Sequence, residues 1–254
     1  MKTFLLGCIT VLLGIQTIPS AAQPIESIRY VRTVTPLRGG STEITETGQN
    51  PWVGHFFGSR PGRVGFLYEP SFDAKIGMRI TEGTDDSTDT LEAMHVTNYW
   101  EVEDSLSKAY PLIGLSIDRI SNLSQQESDS ILQYNRTQTR RHFAAQYAAY
   151  RIETLRKPIP RELAERLHAE TLRLLRAAQD TLSMPGLILD GDTMTFRCTA
   201  DDTLWSLRYH VPEGAFKQLS DLFLQMAADV REGCFDPNTY LRQLPFVPTE
   251  KPNK

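Results

Sequence analysis

The chain has 254 residues, 40% of them hydrophobic and 23% charged, enough for one large domain or two small ones. Its net charge is −4 and no basic run interrupts it, which excludes a nucleic-acid surface built on a Lys/Arg stripe.

Residues 1–22 read as a secretory signal peptide. Lys2 is a minimal positive start, Phe4 to Ile15 is an apolar core, and Ser20-Ala21-Ala22 is a small-residue cleavage site. Cleavage before Gln23 would leave the mature chain periplasmic or secreted. The apolar core is short for a membrane span, and no later stretch is apolar enough for one, so the mature chain is expected to lack a transmembrane segment. Leu5-Leu6-Gly7-Cys8 resembles a lipoprotein box. It comes too early, with most of the apolar run still to follow, so Cys8 is read as part of the leader.

Residues 23–61 form a loop-rich segment broken by Gly39-Gly40-Ser41-Thr42 and Gly48-Gln49-Asn50-Pro51. Ile28, Tyr30, Val31 and Val34 suggest one strand. Trp52, His55, Phe56 and Phe57 cluster between glycines, either as a loop anchored to the core or as an exposed loop that contacts a ligand. His55 and Ser59 make no recognised nucleophile pattern, since Gly58 to Gly62 has the wrong spacing for an elbow.

Residues 62–235 read as an α+β domain. Val64–Tyr68 and Ile76–Ile80 are strands. Glu82–Asp89 is an acidic turn; Asp85, Asp86 and Asp89 lack the spacing of a calcium loop and read as solvated. Leu91–Glu101 is apolar on both sides, which predicts a long interior strand. Val102–Tyr110 predicts a short helix. Ser124 and Glu127 form a capping-box pattern that opens a helix to Ala148. Its apolar side is Ile131, Phe143 and Tyr147; its middle carries Arg136, Arg140 and Arg141, a solvated face or a patch for an anionic ligand. A brief strand from Tyr150 to Thr154 precedes Pro160, which starts a helix with the stripe Leu163, Leu167, Leu174 and Ala178.

The most legible stretch is Leu187–Cys234. Leu187–Leu189, Thr193–Thr199 and Leu204–His210 predict a three-strand meander turning at Asp190-Gly191 and Ala200-Asp201-Asp202. Phe216, Leu219, Phe223, Met226 and Val230 then recur at helical spacing up to a C-cap at Gly233. The expected fold is α+β, an antiparallel sheet that includes this meander, covered by three main helices. Residues 236–254 are a Pro-rich tail, expected to be extended or disordered.

Without the leader, two cysteines remain. Cys198 ends a strand and Cys234 follows the helix that should cover it, so a disulfide is the expectation and two free thiols the alternative. Such a bond would close a loop of about 35 residues, worth about 3–4 kcal/mol in the chain-entropy view. A Cys198–His210 nucleophile pair competes with it. None of the five histidines has metal-ligand spacing, and no nucleotide or cofactor fingerprint occurs, so no metal and no cofactor are expected.

Asp followed by Ser or Thr and then an apolar residue or Thr recurs at Ser87, Thr90, Ser105, Ser130, Thr181, Thr193 and Thr203. Composition predicts about one such tripeptide. The pattern resembles the O-glycosylation acceptor of extracytoplasmic Bacteroides-type proteins. Asp-Ser and Asp-Thr also suit turns and caps, the plainer explanation at Thr193 and Thr203.

Phe66-Leu67-Tyr68-Glu69-Pro70-Ser71-Phe72, Ile152-Glu153-Thr154, Leu189-Asp190-Gly191, Thr195-Phe196-Arg197 and Leu204-Trp205-Ser206-Leu207 resemble a family of small secreted or periplasmic proteins of Bacteroides-type bacteria. The likeness spans Arg63 to Gly233. It implies an extracytoplasmic location and brings no activity or catalytic residues. Two functions follow as expectations. The first is a binding protein with a protein or glycan partner in the cell envelope. The second is a hydrolase using His95 or His210 with a carboxylate such as Asp201.

Overall fold

A computed structural model describes residues 26–37, 51–58, 61–85, 87–114, 122–185 and 191–244. The elements are β1 (Glu26–Pro36), α1 (Pro51–Phe57), β2 (Val64–Glu69), β3 (Ile76–Glu82), β4 (Thr88–Val96), α2 (Tyr99–Ala109) and α3 (Gln125–Ala149). They continue with β5 (Ile152–Pro160), α4 (Arg161–Ala177), β6 (Thr181–Pro185), β7 (Thr193–Ala200), β8 (Thr203–His210), α5 (Gly214–Glu232) and α6 (Pro237–Gln243). The fold is α+β, as expected. Eight strands form one sheet in the order β5-β4-β3-β2-β7-β8-β1-β6, and every neighbouring pair is antiparallel.

The chain divides into two compact units. Asn98–Tyr150 is a helical unit inserted between β4 and β5, and the sheet with its own helices is the other. The β4–β5 ladder ends at Val96 opposite Ile152, and Thr97 N donates to Arg151 O at 2.9 Å just beyond it. The insertion therefore leaves and re-enters the sheet at one point. Within it, the capping box forms as predicted: Glu127 N donates to Ser124 Oγ, and Ser124 N to the Glu127 carboxylate.

One sheet face is apolar. Val64, Phe66, Met78, Ile80, Leu91, Phe196 and Leu207 pack against Leu163 and Leu167 of α4 and Leu219, Phe223 and Met226 of α5. The ring of Phe66 lies 5.4 Å from Phe196 and 5.1 Å from Phe223. The alternations in β7 and β8 and the stripes in α4 and α5 meet here, as expected. Gly233 caps α5 at φ 76°, with Cys234 N bonded to Asp229 O.

The opposite face carries charge. Arg79 donates to Glu92 Oε2 from Nε at 2.7 Å and from Nη2 at 2.5 Å, and Arg156 Nε reaches Glu92 Oε1 at 2.9 Å. Arg197 is buried, its guanidinium 5.6 Å from the centre of the Phe57 ring. The short helix α1 covers this floor. Trp52, Val53, Phe56 and Phe57 are buried, and the Phe57 carbonyl accepts from Arg79 Nη1 at 2.7 Å. Gly77 makes room for it, since a Cβ there would lie 2.5 Å from the Phe56 ring.

Several expectations are corrected. The two edges of β7 are taken by β2 and β8. Leu187–Leu189 lie outside the described residues; the preceding strand, β6, pairs with β1 instead. The second turn holds, with Asp201 at φ 51° and Asp202 at φ 53°, the conformation a two-residue hairpin requires. β4 stops at Val96, and Tyr99–Glu101 open α2. The acidic turn is only partly solvated: Asp89 is buried and takes Arg63 at 2.7 Å and Arg161 at 3.7 Å.

The described part of the tail is helical, opening with α6, and not extended or disordered. Asp236 caps it, Pro237 opens it, and Tyr240 buries its ring stacked 5.2 Å from Phe235. The disulfide is absent. Cys198 is free and buried, its Sγ turned to the His168 carbonyl of α4, whereas Cys234 is free and exposed beyond the α5 cap. Burial pushes the Cys198 thiol up to about 12, so it is not poised as a nucleophile.

Two outcomes follow. Phe56→Ala should cost about 3–5 kcal/mol and Gly77→Ala about 1–3 kcal/mol in urea unfolding. The Gly77→Ala penalty should shrink in the Phe56→Ala background; additive losses would mean the two residues do not touch. Burial alone would raise the Glu92 carboxyl, but the bonds and charges of Arg79 and Arg156 outweigh it and hold it below its ordinary value. That stability is present above the ordinary carboxylate range and is lost as pH falls through the depressed value. Glu92→Gln should therefore flatten the acid limb of a stability–pH curve, and an unchanged limb would count against this ion cluster.

Candidate functional site

The ladder between β2 and β7 sets Tyr68 opposite Met194 and Glu69 opposite Thr193. At that end of the sheet the chain turns through Pro70–Asp73 on one strand and enters from Gly191–Asp192 on the other. Between them lies an open cleft of about 410 Å³, lined by Tyr68, Ser71, Phe72, Asp73, Gly191 and Asp192 among others.

Its polar groups converge. The Tyr68 hydroxyl donates to Asp192 Oδ2 at 2.8 Å. Ser71 Oγ donates to the Gly191 carbonyl at 2.8 Å and accepts from Gly191 N at 3.3 Å, which joins the two sides. Burial, the bond to Asp192 and the charges of Asp192 and Asp73 all raise the Tyr68 phenol, so it stays a donor. Asp73 accepts from Ala74 N at 2.7 Å and is the second carboxylate, with Asp192, among the cleft's lining residues. The Phe72 side chain is 58% exposed, a large apolar ring at the rim of an acidic hollow.

The backbone behind the cleft is strained. Val211, β-branched, sits at φ 52°, and its N–H donates to the Asp192 carbonyl at 2.8 Å. Arg29, itself buried, braces this corner through Nη2 to the Val211 carbonyl at 2.8 Å and to Glu213 at 2.9 Å. Gly191 has φ 142°, and a Cβ on it would meet Val211 Cγ2 at 2.3 Å and His210 Cε1 at 3.3 Å. The His210 ring is thus packed directly behind the cleft, its Nδ1 3.1 Å from Thr193 Oγ1. Held strain of this kind clusters at ligand sites.

The residues singled out from sequence fall elsewhere. Trp52, Phe56 and Phe57 are buried in α1 and only His55 is exposed, so the aromatic cluster is a core anchor and not an exposed loop. Asp201 pairs with Arg176 at 2.8 Å, at the opposite end of β8 from His210. Cys198 lies opposite Trp205, five residues along β8 from His210 and on the other face, so they form no pair. Three other histidines have partners: His95 with Glu153 at 3.2 Å, His142 with Glu103 at 3.5 Å, and His168 with the Thr199 carbonyl at 2.7 Å. Ser87, Ser105, Ser130 and Thr181 are exposed, whereas Thr90, Thr193 and Thr203 are half-buried in strands.

Among the described residues no three His, Cys, Asp or Glu are grouped to hold a metal ion, and no helix is long and apolar enough to cross a membrane. The cleft residues escaped sequence reasoning. Glu69-Pro70-Ser71-Phe72-Asp73, a proline turn with a large aromatic between polar groups, was the available signal. Val211 gave none, because nothing in Tyr-His-Val-Pro announces a positive φ. No family model, curated protein or solved structure matches the chain.

Gly191→Ala should lower unfolding stability by about 1–3 kcal/mol, because the added methyl has no room and the backbone conformation is unfavourable for it. Wild-type stability in this variant would contradict the packing of His210 and Val211 against the cleft.

Proposed function

We propose that this protein is a non-catalytic binding protein that acts outside the cytoplasm, and that the Tyr68–Asp192 cleft takes a polyhydroxylated ligand, a glycan. The observation that carries the reading is the exposed Phe72 ring beside Asp73, Asp192 and Tyr68 in one cleft. Sugar hydroxyls donate to carboxylates, and the C–H face of a sugar ring lies against an aromatic ring. A cleft of a few hundred cubic ångströms with few convergent polar groups suits a ligand of that size. The leader pattern at residues 1–22 supports the location. Two segments that carry the resemblance to secreted proteins, Phe66–Phe72 and Leu189–Gly191, supply cleft residues.

A hydrolase is the second reading, favoured by the Thr193–His210 contact behind the cleft. Calorimetric titration against a glycan panel separates them. Phe72→Ala and Asp192→Asn should each weaken the bound glycan at least about tenfold, the effect of losing a stacked ring or a charged hydrogen bond. Binding that neither change affects would place the ligand elsewhere. Cleavage of the glycan, abolished by His210→Ala, would replace binding with catalysis.

The location carries its own test. Ser87, Ser105, Ser130 and Thr181 are exposed acceptors for O-glycans. Intact mass of the protein from its native source should exceed that of the chain from Gln23 by whole glycan units. A mass equal to the bare sequence ends the modification hypothesis.

A further inference from the structure

The helical unit presents a face that its own packing does not use. The predicted apolar side of α3 is not its buried side. Gln146 is buried and His142 half-buried, both turned to Glu103 of α2; Gln146 Nε2 donates to Glu103 Oε1 at 2.7 Å, and the Tyr150 hydroxyl donates to the same oxygen. A polar cluster thus holds α2 against the C-terminal half of α3, and Asn135 of α3 bonds both ways with the Ile113 backbone, at 2.9 and 3.0 Å.

Arg136, Arg140 and Phe143, spaced i, i+4 and i+7, form one outward stripe, with Arg141 about 100° further round the helix from Arg140 and Tyr134 about 180° round from Phe143. All five are exposed; the Phe143 ring is 51% so. From Ser130 to Tyr150 there is no Asp or Glu. Among the described residues none of the three arginines is ion-paired, although Lys108 and His142 of the same unit are. Trp100 on α2 is 69% exposed and Leu112 after it 45%. An exposed aromatic ring, Phe143, on one stripe with Arg136 and Arg140, which no carboxylate answers among the described residues, calls for a partner that is both anionic and apolar.

We propose that this face of α3 docks on an anionic phospholipid surface. Charge complementarity selects the occupant: arginine guanidinium groups match phosphate headgroups, and aromatic rings partition at the headgroup–acyl boundary. Shape agrees. The outward side of a single helix is convex, and a fluid bilayer conforms to a convex face where a folded acidic partner would need a groove. The chain lies on the surface, with α3 in its plane, and does not cross it. This inference is independent of the glycan cleft, which belongs to the other unit.

Vesicle co-sedimentation of the purified protein tests it. The probes are vesicles of phosphatidylcholine alone and of phosphatidylcholine with phosphatidylglycerol. Binding should appear only with phosphatidylglycerol and fall steeply with added salt. Each arginine at such a surface is worth about fivefold, so Arg136→Gln/Arg140→Gln/Arg141→Gln should lose about a hundredfold. Phe143→Ser, which keeps the charge, should lose a smaller part. All four positions are exposed, so the variants should keep the wild-type circular dichroism spectrum. Absence of binding, or equal binding by the triple variant, overturns the proposal. Capture by soluble polyglutamate as tight as by the vesicles, lost in the triple variant, also overturns it and assigns the face to an acidic polypeptide.

Discussion

Strands β2 and β7 lie side by side at the middle of the sheet, and both of their faces are buried. Val64, Phe66 and Phe196 point to one side, Leu67 and Arg197 to the other, and all are almost wholly removed from water. A sheet buried on both faces needs two covers. On the first side the solution is apolar, with α4 and α5 laid across it. On the second the floor includes Arg79, Glu92 and Arg197, and the cover is seven residues long. Buried charge is tolerated only when it is paired and hydrogen-bonded. Glu92 meets that condition with two arginines, and Arg79 meets it by also donating to the backbone of α1. The short helix is therefore joined to the sheet by polar bonds as well as by Phe56 in the Gly77 notch.

The same central pair positions the cleft. Tyr68 and Asp192 face each other because the β2–β7 register brings the end of one strand to the start of the other. Side chains held by the ends of a rigid ladder keep their geometry better than those on a long loop. The strained corner at Val211 persists because Arg29 and Asp192 hold its carbonyl and its N–H. The helical insertion obeys a different logic. It departs and returns at one point of the β4–β5 hairpin, so its surface is released from the demands of the sheet core.

Sequence patterns gave a sound account of periodicity and a poor one of partnership. The alternation in Met194, Phe196 and Cys198 and the stripe Leu219, Phe223 and Met226 named the core residues correctly. Ser124 and Glu127 marked a helix start that forms as written. The misleading cases share a cause. Cys198 and Cys234 looked paired because an antiparallel strand and its covering helix bring many residues near one another, yet Cys198 turned to α4. Phe143 looked like core because it is apolar, whereas Gln146 took the buried side through a bond to Glu103. Asp89 looked solvated until Arg63 and Arg161 closed on it.

By itself, the sequence determined the local conformations and which faces of β7, β8, α4 and α5 are apolar, because these follow from the spacing of side chains along a short stretch of backbone. Only the tertiary structure decided that β2 and β8 flank β7, that α1 caps a charged floor, and that Tyr68, Phe72 and Asp192 share one cleft. Those residues are separated by up to 124 positions, and no local periodicity encodes which distant strand completes a ladder. Strand order follows from a competition among all edges for the same hydrogen bonds, and that competition is settled only in the folded chain.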